Sequence, residues 1–516
     1  MVVVISPHPD IEVPSIPLTD YVMSDADGLS EKPAFVDGPS GRTITFGQLK
    51  HQIANMAGNL AARGLGPGDV AGILAPNVPE YVVMFHGSIK AGITVTTVNP
   101  TYTVNEIVHQ LNDAGARILF TVSSFMPQAL AAATESGIEE IVVLGETGES
   151  ATPYSELLVD AEPPIVEFDP ATHMAVLPYS SGTTGLSKGV MLTHQNLTVN
   201  LAQASVPLEI SSDDVLIGVL PFFHIYGMIV IMNMAMLHGA TVVTMPRFDL
   251  VEFLELVQKY RVSVALLVPP IILALANHPI IDQYDTTSLR LVFSGAAPLG
   301  SDLADACADR IRCDVTQGYG LTEASPVTHS TPSGQRRPGS VGPALPNTES
   351  RVVDPETGID VAPGETGELW VRGPQVMTGY LNNREATAMT IDDEGWLHTG
   401  DIAMYDDDGW FYIVDRLKEL IKYKGFQVPP AELEALLITH PAVVDVAVIP
   451  KPDTEAGEVP KAFVVVNQDV TPEEIKQFVV GKIATYKEIQ DVEFVDEIPK
   501  SASGKILRRV LREREG

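Results

Sequence analysis

Short apolar runs alternate with stretches of helical periodicity along most of this chain, and no other feature narrows its fold as far. Thr45-Phe46-Gly47-Gln48-Leu49 opens a helix, and Val70–Leu74, Ala116–Thr121 and Ile141–Leu144 read as short strands. The pattern resumes at Ala240–Val243, Val264–Val268 and Leu291–Ser294. Alternation of this kind argues for an α/β fold with mainly parallel sheets. Near residue 340 the character changes to short strands punctuated by glycine and proline, such as Gly367–Gly373, which predicts an antiparallel β-subdomain. A boundary is expected at Val414-Asp415-Arg416-Leu417-Lys418-Glu419, followed by a unit of about a hundred residues, within the usual domain range. That unit should hold a lysine-glycine turn, a helix from Pro430, strands at Val443–Ile449 and Ala462–Val466, and a helix from Pro472. The arginines after residue 507 read as the solvated face of a last helix. A chain of 516 residues is long enough for two or more domains with real cores.

The stretch with the clearest chemistry is Tyr179 to Val190. It follows the apolar run Met174–Pro178, a short buried strand, and leads to Thr193, a candidate helix cap. Ser180 to Gly189 holds three glycines, five hydroxyls and one lysine. Such a loop can turn N–H groups and hydroxyls toward a polyphosphate, with Lys188 supplying charge. The spacing is not that of a Walker A loop. A plain linker is the other reading, though linkers rarely sit between a strand and a capped helix.

Charge and composition exclude several classes. The net charge of −33 opposes a broad electrostatic role on nucleic acid or an anionic membrane. Cys307 and Cys313 are the two cysteines, so there is no disulfide framework and no four-cysteine zinc set, and a cytoplasmic protein is expected. The N-terminal residues lack the basic segment of a signal peptide. Val215 to Leu237 runs without Asp, Glu, Lys or Arg, but Pro221 and His224 split it into a strand, a loop and a buried helix, so no membrane span is expected.

Seven motifs, in order, resemble those of the adenylate-forming superfamily: YSSGTTGLSKGV at 179–190, FFHIYG at 222–227, SGAAPLG at 294–300, GYGLTE at 318–323, TGD at 399–401, DRLKELIKYKGFQVPPAELE at 415–434 and SGKILRR at 503–509. The likeness spans nearly the whole chain and is strongest to 4-coumarate:CoA ligases and related bacterial acyl-CoA ligases. It implies a large N-terminal domain of two αβ-layered sheets plus a β-subdomain, with a small mobile α+β C-terminal domain. The implied divisions are 1–415, a hinge at 416–418, and 419–516.

The resemblance also implies two half-reactions. A carboxylate attacks the α-phosphate of MgATP to give acyl-AMP and pyrophosphate, and the CoA thiol then displaces AMP. Lys505 matches the lysine bridging carboxylate and α-phosphate, where negative charge accumulates. Ser180, Ser181, Gly182, Thr183, Thr184, Gly185 and Lys188 match the loop holding the β- and γ-phosphates, with Thr322 near the α-phosphate and Glu323 on Mg²⁺. Asp401 matches the ribose ligand, assisted by Arg416. Gly295, Ala296, Ala297 and Pro298 with Gly318, Tyr319 and Gly320 should clasp adenine. His224 matches the residue that shields or orients the carboxylate. Lys418 matches the hinge, Lys422 and Gln427 positions that serve the closed states, and Lys424, Gly425 and Phe426 the turn lining the pantetheine channel.

Candidate acyl-pocket residues are Tyr226, Val230, Phe293, Ser325, Pro326 and Val327. Plant 4-coumarate ligases tend to carry polar residues where Val230 and Phe293 stand here. A site lacking a partner for a ring hydroxyl should not strongly prefer 4-coumarate over its dehydroxy analogue, which points to cinnamate-like aryl acids or medium-chain fatty acids. Loading of an acyl-carrier protein, a luciferase-like oxygenase and a non-catalytic sensor are the alternatives. Residues 225 to 232 hold no acid to bind an ammonium group, which disfavours an amino acid substrate. Oligomeric state leaves no mark in the sequence.

Overall fold

The computed structural model describes residues 2–146, 148, 150–180, 187–424, 426–501 and 504–515. Among them the strands form four sheets. The first runs Tyr179–Ser180, Lys188–Thr193, Met174–Val176, Thr94–Thr97, Val70–Leu74, Ala116–Val122, Glu140–Leu144, Thr152–Pro153, and Gly379–Tyr380 joins it on Lys188–Thr193. The second runs Val327–Ser330, Asp314–Gly320, Leu291–Ser294, Val264–Leu267, Val215–Gly218, Thr241–Thr244, Pro33–Asp37, Thr43–Thr45. Both are parallel through the middle, as the alternation predicts. Helices cover them, so the central strands are apolar throughout: every residue of Val70–Leu74 and Leu291–Ser294 is buried.

A third sheet, antiparallel, holds Val4–Ile5, Glu349–Val353, Gly367–Arg372, Leu397–Tyr405 and Phe411–Arg416. Val4–Ile5 pairs with Ser350 and Glu349, a long-range contact that the local sequence does not announce. The fourth sheet belongs to the C-terminal unit, where Ile421–Tyr423, Phe426–Val428, Val443–Asp453 and Gly457–Val466 pair antiparallel and Asp491–Phe494 joins in parallel. Its strands are longer than the apolar runs suggest, because the hairpin continues past Ile449 to Asp453. This unit has its own buried clusters, including Leu433, Val448, Val464 and Ile475.

The apolar stretch 215–237 divides as expected into a strand, a loop and buried helix, but the helix begins as a π-helix at Tyr226–Asn233 before Met234–His238. Asn233 Nδ2 donates to the Met228 carbonyl five residues back at 2.9 Å, meeting an acceptor that the wider winding exposes. No helix among the described residues is long and apolar enough to cross a membrane.

Candidate active site

Residues from five separate stretches meet at the end of the second sheet. A cavity of about 50 Å³ is lined by His224 and Tyr226, by Phe293, Gly295 and Ala296, by Gly318, Tyr319, Gly320 and Thr322, by Pro326 and Val327, and by Lys505. Ile225 and Leu321 complete the wall. The strand ends explain the convergence: Leu291–Ser294 and Asp314–Gly320 are parallel neighbours, so the turns after them open side by side. Gly320 packs its Cα against the Pro326 carbonyl, leaving no room for a Cβ, and a Cβ on Gly295 would lie 2.9 Å from the Tyr226 ring. Ala296 and Ser325 hold left-handed conformations at φ +69°, which cost strain for residues with a Cβ and cluster at working sites.

Lys505 enters this wall from the C-terminal unit. Its turn is closed by Ser501 N donating to the Lys505 carbonyl and Gly504 N to the Ser501 carbonyl, both at 2.8 Å, and by the Lys500–Ile506 bridge. A Cβ on Gly504 would lie 3.2 Å from Val268 Cγ2, so the turn packs directly against the large domain. Burial lowers the Lys505 pKa, and the nearby Arg416 lowers it further, while Asp401, Glu323 and Glu419 oppose the shift. Burial also drops His224 to about 3, with Lys505 adding to the effect, so His224 is neutral at ordinary pH.

Asp401 sits on the strand Leu397–Tyr405, opposite Arg416 in register. Its carboxylate accepts from Tyr319 Oη at 2.5 Å and faces Arg416 Nε at 3.4 Å. Burial raises its pKa against the pull of Arg416. Across the site, Glu323 accepts from Tyr380 Oη at 2.8 Å, and Lys188 Nζ lies 4.8 Å from the centre of the same tyrosine ring. Tyr380 thus touches a residue of the phosphate loop and the candidate metal ligand at once, a link that one aromatic in a β-rich stretch does not reveal. Among the described residues no cluster of three or more His, Cys, Asp or Glu could hold a metal ion. Glu323 is therefore suited to Mg²⁺ only where nucleotide phosphate and water complete the octahedron, which is how Mg²⁺ is usually held.

The other expected residues divide three ways. Thr193 caps the helix after the phosphate loop as predicted, and Ser180 pairs with Lys188 across the loop's base. Ser181, Gly182, Thr183, Thr184, Gly185 and Gly425 lie outside the described residues. Val230 and Ser325 are fully buried and do not line the cavity, Ala297 is half-buried, and Pro298 is exposed. Lys418 is exposed in the turn between Phe411–Arg416 and Ile421–Tyr423. Lys422, Lys424, Phe426 and Gln427 all face solvent on a hairpin that the structure does not bring to the cavity.

One expectation is corrected. Arg508 is not part of a solvated face, since its side chain is only 12% exposed. It donates to Glu434 at 2.7 Å and to the Val448 carbonyl at 3.1 Å, and it pairs with Glu419 at 2.5 Å. A charge this deeply placed requires such partners.

Comparison with known proteins supplies a second line of evidence. Residues 24–381 match the family model described as AMP-binding enzyme, and 432–505 match the AMP-binding enzyme C-terminal domain. A 4-coumarate–CoA ligase of Pinus taeda is 44% identical over 98% of this chain and 96% of its own length. A 4-coumarate–CoA ligase of Petroselinum crispum is also 44% identical, over 98% and 95%. Among solved structures, ATP-bound MatB from Rhodopseudomonas palustris aligns with TM-score 0.88 and 31% identity over 97% of this chain and 99% of that one. The anthranilate CoA ligase AuaEII in complex with anthranoyl-AMP aligns with TM-score 0.92 and 27% identity over 98% of both chains.

Proposed function

We propose, from the premise that this chain belongs to the AMP-binding enzyme family and is an AMP-forming acid–thiol ligase, that it activates a cinnamate-like aryl acid and transfers the acyl group to CoA. The observation that carries this reading is the buried Lys505 in a cavity shared with neutral His224 and the Gly318–Thr322 segment. A carboxylate and a phosphate repel each other as they approach, and a cation between them offsets that charge at the moment it concentrates. Lys505 is assigned this bridging role. His224 orients the acid without adding charge of its own.

In the first step one carboxylate oxygen of the acid bonds to the α-phosphorus and pyrophosphate departs. Asp401 accepts hydrogen bonds from the ribose hydroxyls and Arg416 holds it in place. Lys188 and the 180–185 segment hold the outer phosphates, and Thr322 lies against the α-phosphate. Mg²⁺ at Glu323 neutralises phosphate charge when it is bound. Gly295 to Pro298 and Gly318 to Gly320 form the adenine wall, on which Tyr319 stacks, while Tyr226, Val230, Phe293, Ser325, Pro326 and Val327 form the acyl wall and its support. In the second step the CoA sulfur bonds to the acyl carbon and AMP leaves. Residues 419–516 turn about 416–418, with Lys418 as pivot, to bring Lys422, Lys424, Gly425, Phe426 and Gln427 toward the pantetheine arm.

The aryl-acid class follows from the apolar wall at Phe293, Pro326 and Val327 and from the coumarate ligases that this chain resembles. The test is product analysis by mass spectrometry, with MgATP, CoA and an equimolar mixture of cinnamate, 4-coumarate, benzoate, octanoate and palmitate. Cinnamoyl-CoA with AMP as leading products is the expected result. Octanoyl-CoA as the leading thioester would replace the aryl reading with a fatty-acid one. Acyl-AMP without thioester would move the acceptor from CoA to a carrier protein.

A further inference from the structure

Arg508 lies three residues past Lys505, at the start of the last helix, Arg508–Glu515. Its guanidinium spans three parts of the C-terminal unit. One nitrogen meets Glu419, the residue after Lys418; another meets both oxygens of Glu434 at 2.7 Å, on the helix Pro430–Leu437; and Nε donates to the Val448 carbonyl at 3.1 Å. Arg508, Glu419 and Glu434 side chains are only 12 to 14% exposed. Asp415, just before Lys418, caps the same helix by accepting from Ala431 N at 2.8 Å. The carboxylate of Glu419 also acts on the Lys505 charge, so one acid serves both the arginine and the lysine.

This arrangement has a mechanical consequence. The Lys505 turn is held at its stem by the Lys500–Ile506 bridge and, on its C-terminal side, by the Arg508 fork. A planar five-donor fork fixes direction as well as distance, which a lysine ammonium cannot do. We propose that Arg508 is a positioning residue for adenylation: it locks the Lys505 turn to the segment that follows the hinge, so that Lys505 reaches the reacting carboxylate and α-phosphate. It touches neither substrate, and it acts through Lys505 alone. The inference rests on the reading of Lys505 given above.

The prediction concerns one half-reaction and not the other. In thioester formation Lys505 does not serve the reacting atoms, so its placement ceases to matter. The test measures both half-reactions in single turnover, with cinnamate and MgATP for the first and synthetic cinnamoyl-AMP and CoA for the second. Arg508→Lys should slow adenylation by about 10- to 100-fold, the scale of a small misplacement of a catalytic group. Its rate from cinnamoyl-AMP should stay at the wild-type level, which also certifies the fold. Glu434→Gln, which keeps the shape and loses the charge, should move in the same direction by less. In a Lys505→Ala background, Arg508→Lys should slow adenylation no further, because the two act as one unit. Equal slowing of both half-reactions, or full multiplication of the two effects, would overturn the inference and make Arg508 merely structural. Normal adenylation in Arg508→Lys, with Lys505→Ala impaired, would overturn it while leaving the Lys505 reading intact. Normal adenylation in Lys505→Ala would overturn both.

Discussion

The C-terminal unit carries two lysine–glycine turns, and they sit in opposite surroundings. The Gly504–Lys505 turn is packed against Val268 of the large domain, and its lysine lines the cavity. The turn around Lys424 faces solvent, with Lys424 in a left-handed conformation at φ +47° and Phe426 55% exposed. Phe426 stacks on Tyr486 at 4.6 Å rather than on any residue of the large domain. In sequence the two look alike: a lysine beside a glycine, flanked by residues that favour turns. Their difference is wholly one of tertiary contact. In the proposed function each turn serves one half-reaction, and the orientation described here suits the first.

The sharpest way to break that comparison is to remove the buried lysine. Lys505→Ala is expected to slow acyl-AMP formation by about 100-fold or more, the scale of losing a transition-state charge partner. Thioester formation from supplied acyl-AMP should be largely spared, as quenched single-turnover assays would report.

A smaller effect is expected at Tyr380, on the large-domain side. Tyr380→Phe removes the hydrogen bond to Glu323 and leaves the ring beside Lys188. A hydrogen bond to a charged group contributes about 1.5–3 kcal/mol, so MgATP binding should weaken by about 10-fold or more. Calorimetric titration with ATP in the presence and absence of Mg²⁺ would check this, since only the Mg²⁺-dependent part should fall.

The exposed turn offers the converse. Phe426→Ala loses one aromatic stack, of about 1 kcal/mol. It should raise the KM for CoA several-fold and leave pyrophosphate release in the first step unchanged. An equal effect on both steps would erase the distinction between the turns.

The mildest test uses pH. The Lys505 pKa lies below that of an ordinary lysine, because burial and Arg416 disfavour its charge. Adenylation needs the charged form, so it should decline on the alkaline side earlier than a free lysine would dictate, and the rate from supplied acyl-AMP should lack that limb. His224, held at about 3, stays neutral through the working range. Its unfolded form takes up a proton near pH 6.5, so stability is lost as pH falls from about 6.5 toward 3, at up to about 1.4 kcal/mol per pH unit for this one group. Denaturant titrations of wild type and His224→Asn across that window should show the slope diminish in the variant.

Much of this architecture is legible in the chain. Val70–Leu74 and Leu291–Ser294 are visible as strands because a sheet covered on both faces makes them apolar at every position. Thr193 is visible as a cap because a hydroxyl before a helix has one dominant use. The cavity wall is readable too, as the motifs at 222–227, 294–300, 318–323 and 503–509 each contribute to it. Other features are not. Arg508 reads as surface because the acids that bury it lie 74 and 89 positions away. The π-helix Tyr226–Asn233 has no period of its own in so uniformly apolar a run. Val4–Ile5 is two residues long, and its pairing with Glu349–Val353 supplies what its own sequence lacks. Tyr380 gains its role only from the neighbours that the fold gives it.

Hydrogen exchange on the unaltered protein tests the central claim most directly. Amide exchange would be followed in 421–428 and 500–507 with the enzyme carrying cinnamoyl-AMP, before and after addition of a CoA analogue lacking the thiol. The account predicts that 500–507 loses protection as the Lys505 turn leaves the cavity, while 421–428 gains protection. Unchanged exchange in both segments, with the analogue shown to be bound, would contradict it.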